Sequence, residues 1–220
     1  MGGILYGLGV GPGDPELITV KALRIMEKAE VIACPARGST PGIAYQIAEQ
    51  VYPDIRMKEI LLLDFPMEKG NQSKFHQEAA DHLIKELQKG KIVAFLTLGD
   101  PAFYSTFSYI SDIIRAEGYQ VEMISGVTSF SAAAARLLIP IALGNEPVMI
   151  TTGEIIDFDG TLVVMKAGRN LRLLKEKVAE SGKTVYLVEN CGMPDERVYS
   201  GIASIPDQTG YFSTLIIKRG

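Results

Sequence analysis

Three glycine-containing turns are the parts of this sequence best suited to bind a ligand through the backbone. They are residues 7–13 (Gly-Leu-Gly-Val-Gly-Pro-Gly), 99–101 (Gly-Asp-Pro) and 125–130 (Ser-Gly-Val-Thr-Ser-Phe). Each follows an apolar segment of strand character and precedes a helical one, so each would present N–H groups at a helix start. Because glycine lets a backbone approach a ligand closely, the density of glycine in 7–13 favours a binding turn over a purely structural one.

The first turn matches neither common nucleotide-binding pattern. The Rossmann pattern G-x-G-x-x-G needs glycine at its sixth position, where counting from Gly7 gives Pro12 and counting from Gly9 gives Asp14. A phosphate-binding P-loop would need Gly-Lys-Ser/Thr after the glycines, which this segment lacks. The predicted ligand is therefore neither a Rossmann dinucleotide nor a P-loop nucleotide.

Residue types that serve as metal ligands or nucleophile–base pairs are sparse. Cys34 and Cys191 stand far apart and outside any C-x-x-C pair, and His76 and His82 are the only histidines. We therefore expect no metal site, no disulfide and a reducing compartment. The two histidines lie on one long predicted helix, where a surface position is expected.

Composition restricts the partners. The 220 residues include 22 Lys+Arg and 26 Asp+Glu, a net charge of −4, which argues against broad phosphate neutralisation on nucleic acid. No apolar stretch approaches the roughly 20 residues needed to span a bilayer. The N-terminus has no basic segment followed by a cleavage site. We expect a cytoplasmic protein with no nucleic-acid or membrane partner.

The first half of the chain alternates apolar strands with helices. The predicted strands are 4–6, 31–34, 60–63, 92–98 and 121–124, and the predicted helices are 17–29, 41–51, 72–89 and 106–116. Asp14 and Pro15 are expected to open the first helical turn, and Pro35 to end the second strand. Continuous apolar strands separated by helices predict a mostly parallel sheet covered on both faces, the α/β class.

The second half has more strands per helix. Strands are predicted at 148–152, 161–165, 185–188 and 213–217, with helices at 129–138 and 171–180. This ratio favours an α+β domain with antiparallel pairing. We predict two domains, residues 1–125 and 126–220.

Taken together, the motifs resemble the tetrapyrrole methylase family, whose members transfer a methyl group from S-adenosylmethionine. The segments that carry the resemblance are 7–19 with Lys21-Ala22, Gly99-Asp-Pro101, Gly126–Phe130, Thr161–Lys166 and Glu189–Gly192 with Glu196-Arg-Val198. They occur in the family's order and cover essentially the whole chain. The resemblance implies two α/β lobes with S-adenosylmethionine in the cleft between them, usually in a homodimer.

Within this family, Tyr104-Ser105-Thr106 resembles the branch that methylates C20 of precorrin-2 or cobalt-precorrin-2 in cobalamin synthesis. Related ring methylases usually have glycine where Ser105 stands, and the commoner residue in place of Ser125 is proline. The sequence does not separate the metal-free tetrapyrrole substrate from the cobalt-loaded one. Two alternatives stay open: methylation of another ring carbon or a protein side chain, and a non-catalytic module that binds an adenosine ligand.

The resemblance also implies site residues, position by position. The implied contacts to S-adenosylmethionine, or to its product S-adenosylhomocysteine, are Val10, Leu98, Gly99, Asp100, Phe103, Thr128, Ser129, Lys166, Asn190 and Gly192. The implied substrate contacts are Gly11, Pro12, Arg37, Tyr104, Ser105 and Thr106. Tyr104 and Ser105 are also the candidates to assist catalysis. Several relatives have methionine where Lys166 stands. The contact to S-adenosylmethionine would then be made by the Lys166 backbone, which leaves its side chain for another role.

The expected chemistry needs alignment more than a strong base. Methyl transfer from a sulfonium to carbon has a good leaving group, so positioning of the reactants supplies much of the catalysis. The C20 carbon is electron-rich, and its proton must leave afterwards. A substrate with many carboxylates needs local cations in an acidic protein, and the candidates are Arg37, Lys166, Arg169 and Arg172. The last three could equally form a solvated helix start.

Overall fold

The chain divides into two units, each with its own sheet. The structure, a computed structural model, describes residues 2–65, 71–179 and 182–219, without the side chain of Arg169. The units are Met1–Thr128 and Ser129–Gly220, called here the N-terminal and C-terminal units. The division predicted from the sequence lies three residues earlier, after residue 125.

The N-terminal unit is an α/β sheet with helices on both faces. Its strands are β1 Ile4–Gly9, β2 Val31–Arg37, β3 Thr40–Pro41, β4 Glu59–Asp64, β5 Ile92–Thr97 and β6 Gln120–Ile124. Its helices are α1 Val20–Lys28, α2 Ile43–Val51, α3 Gln72–Gln88 and α4 Thr106–Ala116. Five strands run parallel in the order β4-β2-β5-β1-β6, and the short β3 pairs antiparallel with the end of β2. The predicted parallel sheet is confirmed.

Alternation along the central strands divides the core between two helical layers. Leu8, Ala94 and Leu96 pack with α1 and α2. Leu5 and Phe95 point to the other face and pack with α3 and α4. Both sheet faces are therefore dry, which is why these strands are continuously apolar and lack a polar face.

The first strand is longer than predicted, because Gly7 and Gly9 of the glycine turn belong to it. β1 reaches Gly9, and Gly7 pairs with Phe95 on one side and Met123 on the other. A methyl group at Gly7 would lie 2.3 Å from the Phe107 ring, so glycine here makes room for a helix side chain. The reason predicted from the sequence, close approach to a ligand, does not apply to Gly7.

Two predicted element boundaries in this unit are wrong. Pro35 does not end β2, which continues to Arg37; pairing with β5 stops at Ala33, so Pro35 needs no N–H donor toward that strand. Asp14 and Pro15 do open a helical turn, the 3₁₀ turn Pro15–Leu17, as predicted. The predicted start of the following helix at residue 17 is wrong, because α1 begins after Thr19, whose Oγ1 accepts a hydrogen bond from Ala22 N.

The C-terminal unit has a mixed sheet. Its strands are β7 Val148–Thr152, β8 Thr161–Met165, β9 Thr184–Glu189, β10 Arg197–Ser200 and β11 Ser213–Lys218, and its helices are α5 Ser129–Leu137 and α6 Leu171–Ala179. The order is β10-β9-β11-β8-β7, antiparallel except for the β7–β8 pair. Antiparallel pairing is confirmed, while the parallel β7–β8 pair and the strand β10 were not predicted.

The helices of the C-terminal unit cover opposite faces of its sheet. α5 packs Ala133 and Ala134 against Val188 and Ile216. α6 packs on the other face, with a cluster that includes Leu187 and Leu215. Within the described residues, no helix of either unit combines the length and the apolar character needed to cross a bilayer.

Candidate active site

The glycine turns after β1 and β5 meet where the strand order of the N-terminal sheet reverses. From β1 the chain passes through α1 to β2, on the far side of β5. From β5 it passes through α4 to β6, on the far side of β1. The two turns therefore leave adjacent strands in opposite directions, which opens a crevice at the carboxyl ends of the strands where α/β sheets bind ligands.

Gly11 and Gly99 join these two turns by a reciprocal pair of hydrogen bonds. Gly99 N donates to Gly11 O at 2.7 Å, and Gly11 N donates to Gly99 O at 3.3 Å. Just before them, Val10 N donates to Thr97 O at 3.0 Å. Gly11 and Gly99 have φ of 76° and 74°, a region that favours glycine. The amide hydrogens of Val10, Gly11 and Gly99 are thus committed to the fold, so their predicted ligand contacts would use carbonyl oxygens or carbon atoms.

The third glycine turn, after β6, packs directly on the other two. A methyl group at Gly9 would lie 2.6 Å from the Gly99 carbonyl oxygen and 2.6 Å from Gly126 Cα. A methyl group at Gly126 would lie 2.2 Å from the same carbonyl. Gly9 and Gly126 are therefore glycine because three backbones cross here, and this packing rather than a ligand explains them.

Gly99 differs from its neighbours because the space beyond its Cα is open. It is buried, yet a methyl group there would meet nothing closer than Val127 O at 4.0 Å. Nearby, at the end of β5, Thr97 Oγ1 is the one buried side-chain oxygen or nitrogen without a hydrogen-bond partner in the described chain. Open space over a backbone and a hydroxyl left for another partner fit a small-molecule ligand at this turn.

Asp100 ties two of the turns together through a buried carboxylate. The residue is 8% exposed. Its Oδ1 accepts a hydrogen bond from Ala102 N at 2.7 Å, and its Oδ2 accepts one from Gly126 N at 2.9 Å. Asp100 does not cap α4, although it precedes that helix.

The cap of α4 is Ser105. Its Oγ accepts a hydrogen bond from Phe107 N at 3.1 Å, and the residue is buried. As a cap acceptor the hydroxyl keeps its own proton for another partner. Thr106, the first residue of α4, is half-buried.

Phe103 and Tyr104, both exposed, lie between the Gly-Asp-Pro turn and the cap. Tyr104 has φ of 48°, a left-handed conformation that costs energy for a residue with a Cβ. The loop thus presents both rings outward beside Asp100.

The other predicted substrate contacts of this unit differ in exposure. Pro12 is buried between Gly11 and Gly13, while Arg37 ends β2 with an exposed side chain. The backbone of Arg37 pairs with Thr40 in the β2–β3 hairpin. Arg37 is therefore available to an anion at the carboxyl edge of the sheet.

In the C-terminal unit, Lys166 and Asn190 follow β8 and β9, two strands that run in the same direction beside β11. Both have left-handed φ, of 56° and 52°. Together with Tyr104 they make three of the four non-glycine residues with positive φ in the described chain. Such strain persists where the surroundings enforce it and is common at functional positions.

Side-chain contacts hold both of these turns. Lys166 Nζ lies 5.7 Å from the centroid of the Tyr211 ring, a cation–π contact. Asn190 Nδ2 donates to Asp195 Oδ2 at 2.6 Å. Both predicted residues therefore have partners within their own unit.

Glu196 fixes the turn that contains Gly192. It accepts hydrogen bonds from Gly192 N, at 2.8 Å, and from Arg136 Nε. Burial alone would raise the pKa of Glu196, but these hydrogen bonds outweigh it and lower the pKa below its usual value. The Gly192 amide is thus already used.

Of the remaining predicted residues, Thr128 and Ser129 lie where the two units join in the sequence. Thr128 ends the N-terminal unit and is buried. Ser129 begins the C-terminal unit, where its Oγ accepts a hydrogen bond from Thr214 Oγ1 at 3.3 Å. Arg172 has an exposed side chain, 3.4 Å from Glu176 and consistent with a solvated helix start, and the Arg169 side chain lies outside the described residues.

Sequence reasoning missed Thr97 and Tyr211. Thr97 directly precedes the Leu98-Gly99-Asp100 turn, so its position at a strand end was visible, but its lack of a partner was not. Tyr211 lies 45 residues after Lys166 in the chain, and only the antiparallel β8–β11 pairing brings the two together.

Comparison with known proteins identifies the family. The sequence pattern of the tetrapyrrole (corrin/porphyrin) methylases matches residues 4–205. A probable cobalt-precorrin-2 C(20)-methyltransferase of Methanocaldococcus jannaschii is 33% identical, covering 98% of this chain and 96% of that protein. A precorrin-2 C(20)-methyltransferase of a Sinorhizobium species is 29% identical, covering 98% and 95%.

A solved structure agrees over the whole chain. The uroporphyrin-III C-methyltransferase of Thermus thermophilus aligns with a TM-score of 0.73 and 26% identity, covering 100% of this chain and 93% of that one. The sequence pattern therefore includes most of both units, and the similarity in fold covers the whole chain. The chain belongs to the tetrapyrrole methylase family.

Proposed function

We propose that this protein is an S-adenosylmethionine-dependent methyltransferase that methylates C20 of precorrin-2 or cobalt-precorrin-2 in cobalamin biosynthesis. The observation that carries the proposal is similarity along 98% of the chain to relatives named for C20 methylation. The Tyr104-Ser105-Thr106 segment, which lies between the Gly-Asp-Pro turn and α4, points to the same branch. One relative is named for the cobalt-loaded substrate and the other is not, so both forms are candidates.

When bound, S-adenosylmethionine supplies a methyl group on a sulfonium leaving group and departs as S-adenosylhomocysteine. The open face of Gly99 and the Thr97 hydroxyl suit this ligand, with Val10 and Leu98 beside them. Thr128 is a further contact that the family resemblance implies. The family resemblance further implies contacts from Ser129, Lys166, Asn190 and Gly192. These residues would hold the donor, and positioning of the reactants would be the main catalytic contribution of the protein.

The chain's own acid–base groups enter after carbon–carbon bond formation, when C20 loses a proton. Tyr104 is exposed on its loop, and the Ser105 hydroxyl keeps a proton that its capping bond does not use. We assign to these two groups the orientation of C20 and of a water that accepts its proton. Arg37 is the proposed partner of a substrate carboxylate, because its side chain is exposed at the carboxyl edge of the sheet.

The assembly and location are part of the same proposal. We infer a cytoplasmic homodimer that binds neither nucleic acid nor membranes, supported by the family resemblance and by the net charge of −4. Sedimentation or light scattering of the purified protein should give twice the chain mass of 23.9 kDa. A mass of one chain at working concentrations would contradict the dimer.

The decisive experiment is methyl transfer in vitro. The purified chain is incubated without oxygen with isotopically labelled S-adenosylmethionine and with metal-free or cobalt-loaded precorrin-2. We expect one labelled methyl group in the product by mass spectrometry, located at C20 by NMR. The preferred substrate is the one with the higher kcat/KM.

Two results would overturn the proposal in different ways. Gain of a methyl group at another carbon would assign the protein to a different ring methylase. Binding of S-adenosylhomocysteine without methyl transfer to either substrate would indicate a non-catalytic binding module.

A further inference from the structure

The tripeptide Gly-Asp-Pro occurs twice in this chain, at 13–15 and 99–101. Both copies follow a strand of the N-terminal sheet and precede a helix or helical turn. In both, the aspartate Oδ1 accepts a hydrogen bond from the backbone N–H two residues later: Asp14 from Glu16 N at 2.9 Å, and Asp100 from Ala102 N at 2.7 Å. The local turn chemistry of the two aspartates is the same.

Their second carboxylate oxygens differ. Asp100 Oδ2 reaches 26 residues along the chain and accepts a hydrogen bond from Gly126 N at 2.9 Å. Within the described residues Asp14 has no such bond, and it is only half-buried, whereas Asp100 is 8% exposed. A buried carboxylate requires donors for its oxygens, so the burial of Asp100 depends on Gly126 staying where it is.

Gly126 begins the segment that leads out of the N-terminal unit. Thr128, the last residue of that unit, follows two positions later and is buried. The backbones of Gly9 and Gly99 lie against Gly126, but such packing does not fix the direction of the Gly126 N–H. The carboxylate of Asp100 supplies that direction, because a charge-assisted hydrogen bond is short and oriented.

We propose that Asp100 is a positioning residue rather than a cofactor ligand: its carboxylate locks the 125–128 segment onto the Gly99 turn and so presets the methyl-donor site. Both of its oxygens accept from backbone N–H groups of the protein, and the residue is only 8% exposed, so the carboxylate is directed toward the chain itself. The inference rests on the proposed function for the identity of the ligand. The lock itself is a property of the chain alone.

The first test measures the lock without any ligand. Amide exchange at Gly126 is followed by NMR in the wild type, in Asp100→Asn and in Asp14→Asn. The asparagine amide keeps one acceptor oxygen but opposes an N–H with its own NH₂, so exchange at Gly126 should accelerate at least about tenfold in Asp100→Asn. Asp14→Asn, which changes the matching local turn, should leave it unchanged.

The second test measures binding. Calorimetric titration with S-adenosylhomocysteine should give a dissociation constant raised roughly tenfold in Asp100→Asn, with kcat at saturating S-adenosylmethionine largely kept and KM for the tetrapyrrole unchanged. Asp14→Asn should bind like the wild type. Should Asp100→Asn fail to fold, Asp100→Ser replaces it, since serine retains the local turn bond and is too short to reach Gly126.

The outcomes separate this inference from the proposed function. If the wild type does not bind S-adenosylhomocysteine, the proposed function fails, while accelerated exchange at Gly126 would still establish the lock. If the wild type binds and the Asp100 variant binds equally well, Asp100 does not preset the site. Unchanged exchange at Gly126 would overturn the lock itself.

Discussion

Glycine serves three different purposes in the three glycine turns, although all of these positions look alike in the sequence. Gly7 leaves room for the Phe107 ring, Gly9 and Gly126 let three backbones cross, and Gly11 and Gly99 adopt left-handed φ. The sequence predicted the place of the site from this cluster. It could not distinguish these reasons, because they depend on backbone conformation and on contacts between distant residues, such as Gly7 with Phe107 and Gly9 with Gly126.

The orphan hydroxyl of Thr97 gives a test of the ligand-free protein. A buried hydroxyl without a partner destabilises the folded state, so Thr97→Val should raise the free energy of unfolding by about 1 kcal/mol. For a chain of this size that corresponds to an increase in Tm of roughly 2–4 °C. Thermal denaturation without ligand measures it.

Thr151 provides the matched control for that substitution. It is buried as well, but its Oγ1 donates to Glu154 O at 2.6 Å. Thr151→Val should therefore lower stability by about 1 kcal/mol. Equal loss of stability in both variants would show that Thr97 has a partner in solution.

The exposed guanidinium of Arg37 is proposed to bind a carboxylate of the substrate. Arg37→Ala should raise KM for the tetrapyrrole about tenfold and change kcat little, because a charge-assisted bond to the bound substrate is lost. Arg115 on α4 is a control: it is exposed and lies 3.9 Å from Asp112. Unchanged KM and kcat in Arg37→Ala would exclude the role.

At the scale of elements, helix and strand spans were predicted well and their ends less well. The predicted spans of α4, β7 and β8 coincide with those observed. The end of β2 was misplaced at Pro35, because pairing with β5 stops at Ala33 and proline is tolerated where that strand no longer requires an N–H. Pairing partners decide such ends, and a pattern within one segment does not contain them.

The candidate site, too, was predicted only in part from the sequence. The motifs placed the turns after β1, β5 and β6 on the sequence, and the structure joins them through Gly11, Gly99 and Gly126. The sequence did not reveal that Asp100 binds two amides or that Ser105 caps α4. These roles are set by side-chain direction after folding.

The contact between α3 and α4 makes stability depend on pH. The His76 ring stacks on Tyr109, with centroids 4.9 Å apart and planes at 7°, and burial lowers the pKa of His76 below its usual 6.5. Below about pH 6.5 the unfolded chain binds a proton that the folded chain does not, so stability falls as the pH falls toward the lower folded pKa. Above that pH the contribution is constant.

The measurement compares Tm at pH 7.5 and 5.5. The wild type should lose more stability on acidification than His76→Gln, by at most about 1.4 kcal/mol per pH unit. His82→Gln, on the exposed face of the same helix, should behave like the wild type. A pH dependence that survives in His76→Gln would assign it to other groups.

At the scale of the whole molecule, each unit has its own sheet, its own helical layers and its own buried cysteine. Cys34 lies in the core of the N-terminal unit, and Cys191 in that of the C-terminal unit; neither is in a disulfide. Burial raises the pKa of the Cys34 thiol to about 11. Near pH 8 only about one thousandth of that thiol is ionised, and it is shielded from reagents as well.

Because each unit buries one cysteine, the reaction of that thiol with a reagent reports the unfolding of its unit. In Cys191→Ala, a thiol reagent monitors the N-terminal unit through Cys34; in Cys34→Ala, it monitors the C-terminal unit through Cys191. Labelling should be slow in buffer and accelerate in urea at the concentration where that unit opens. Coincident midpoints would reveal a single cooperative molecule and separate midpoints two autonomous ones, whereas rapid labelling in buffer would contradict the burial of that thiol.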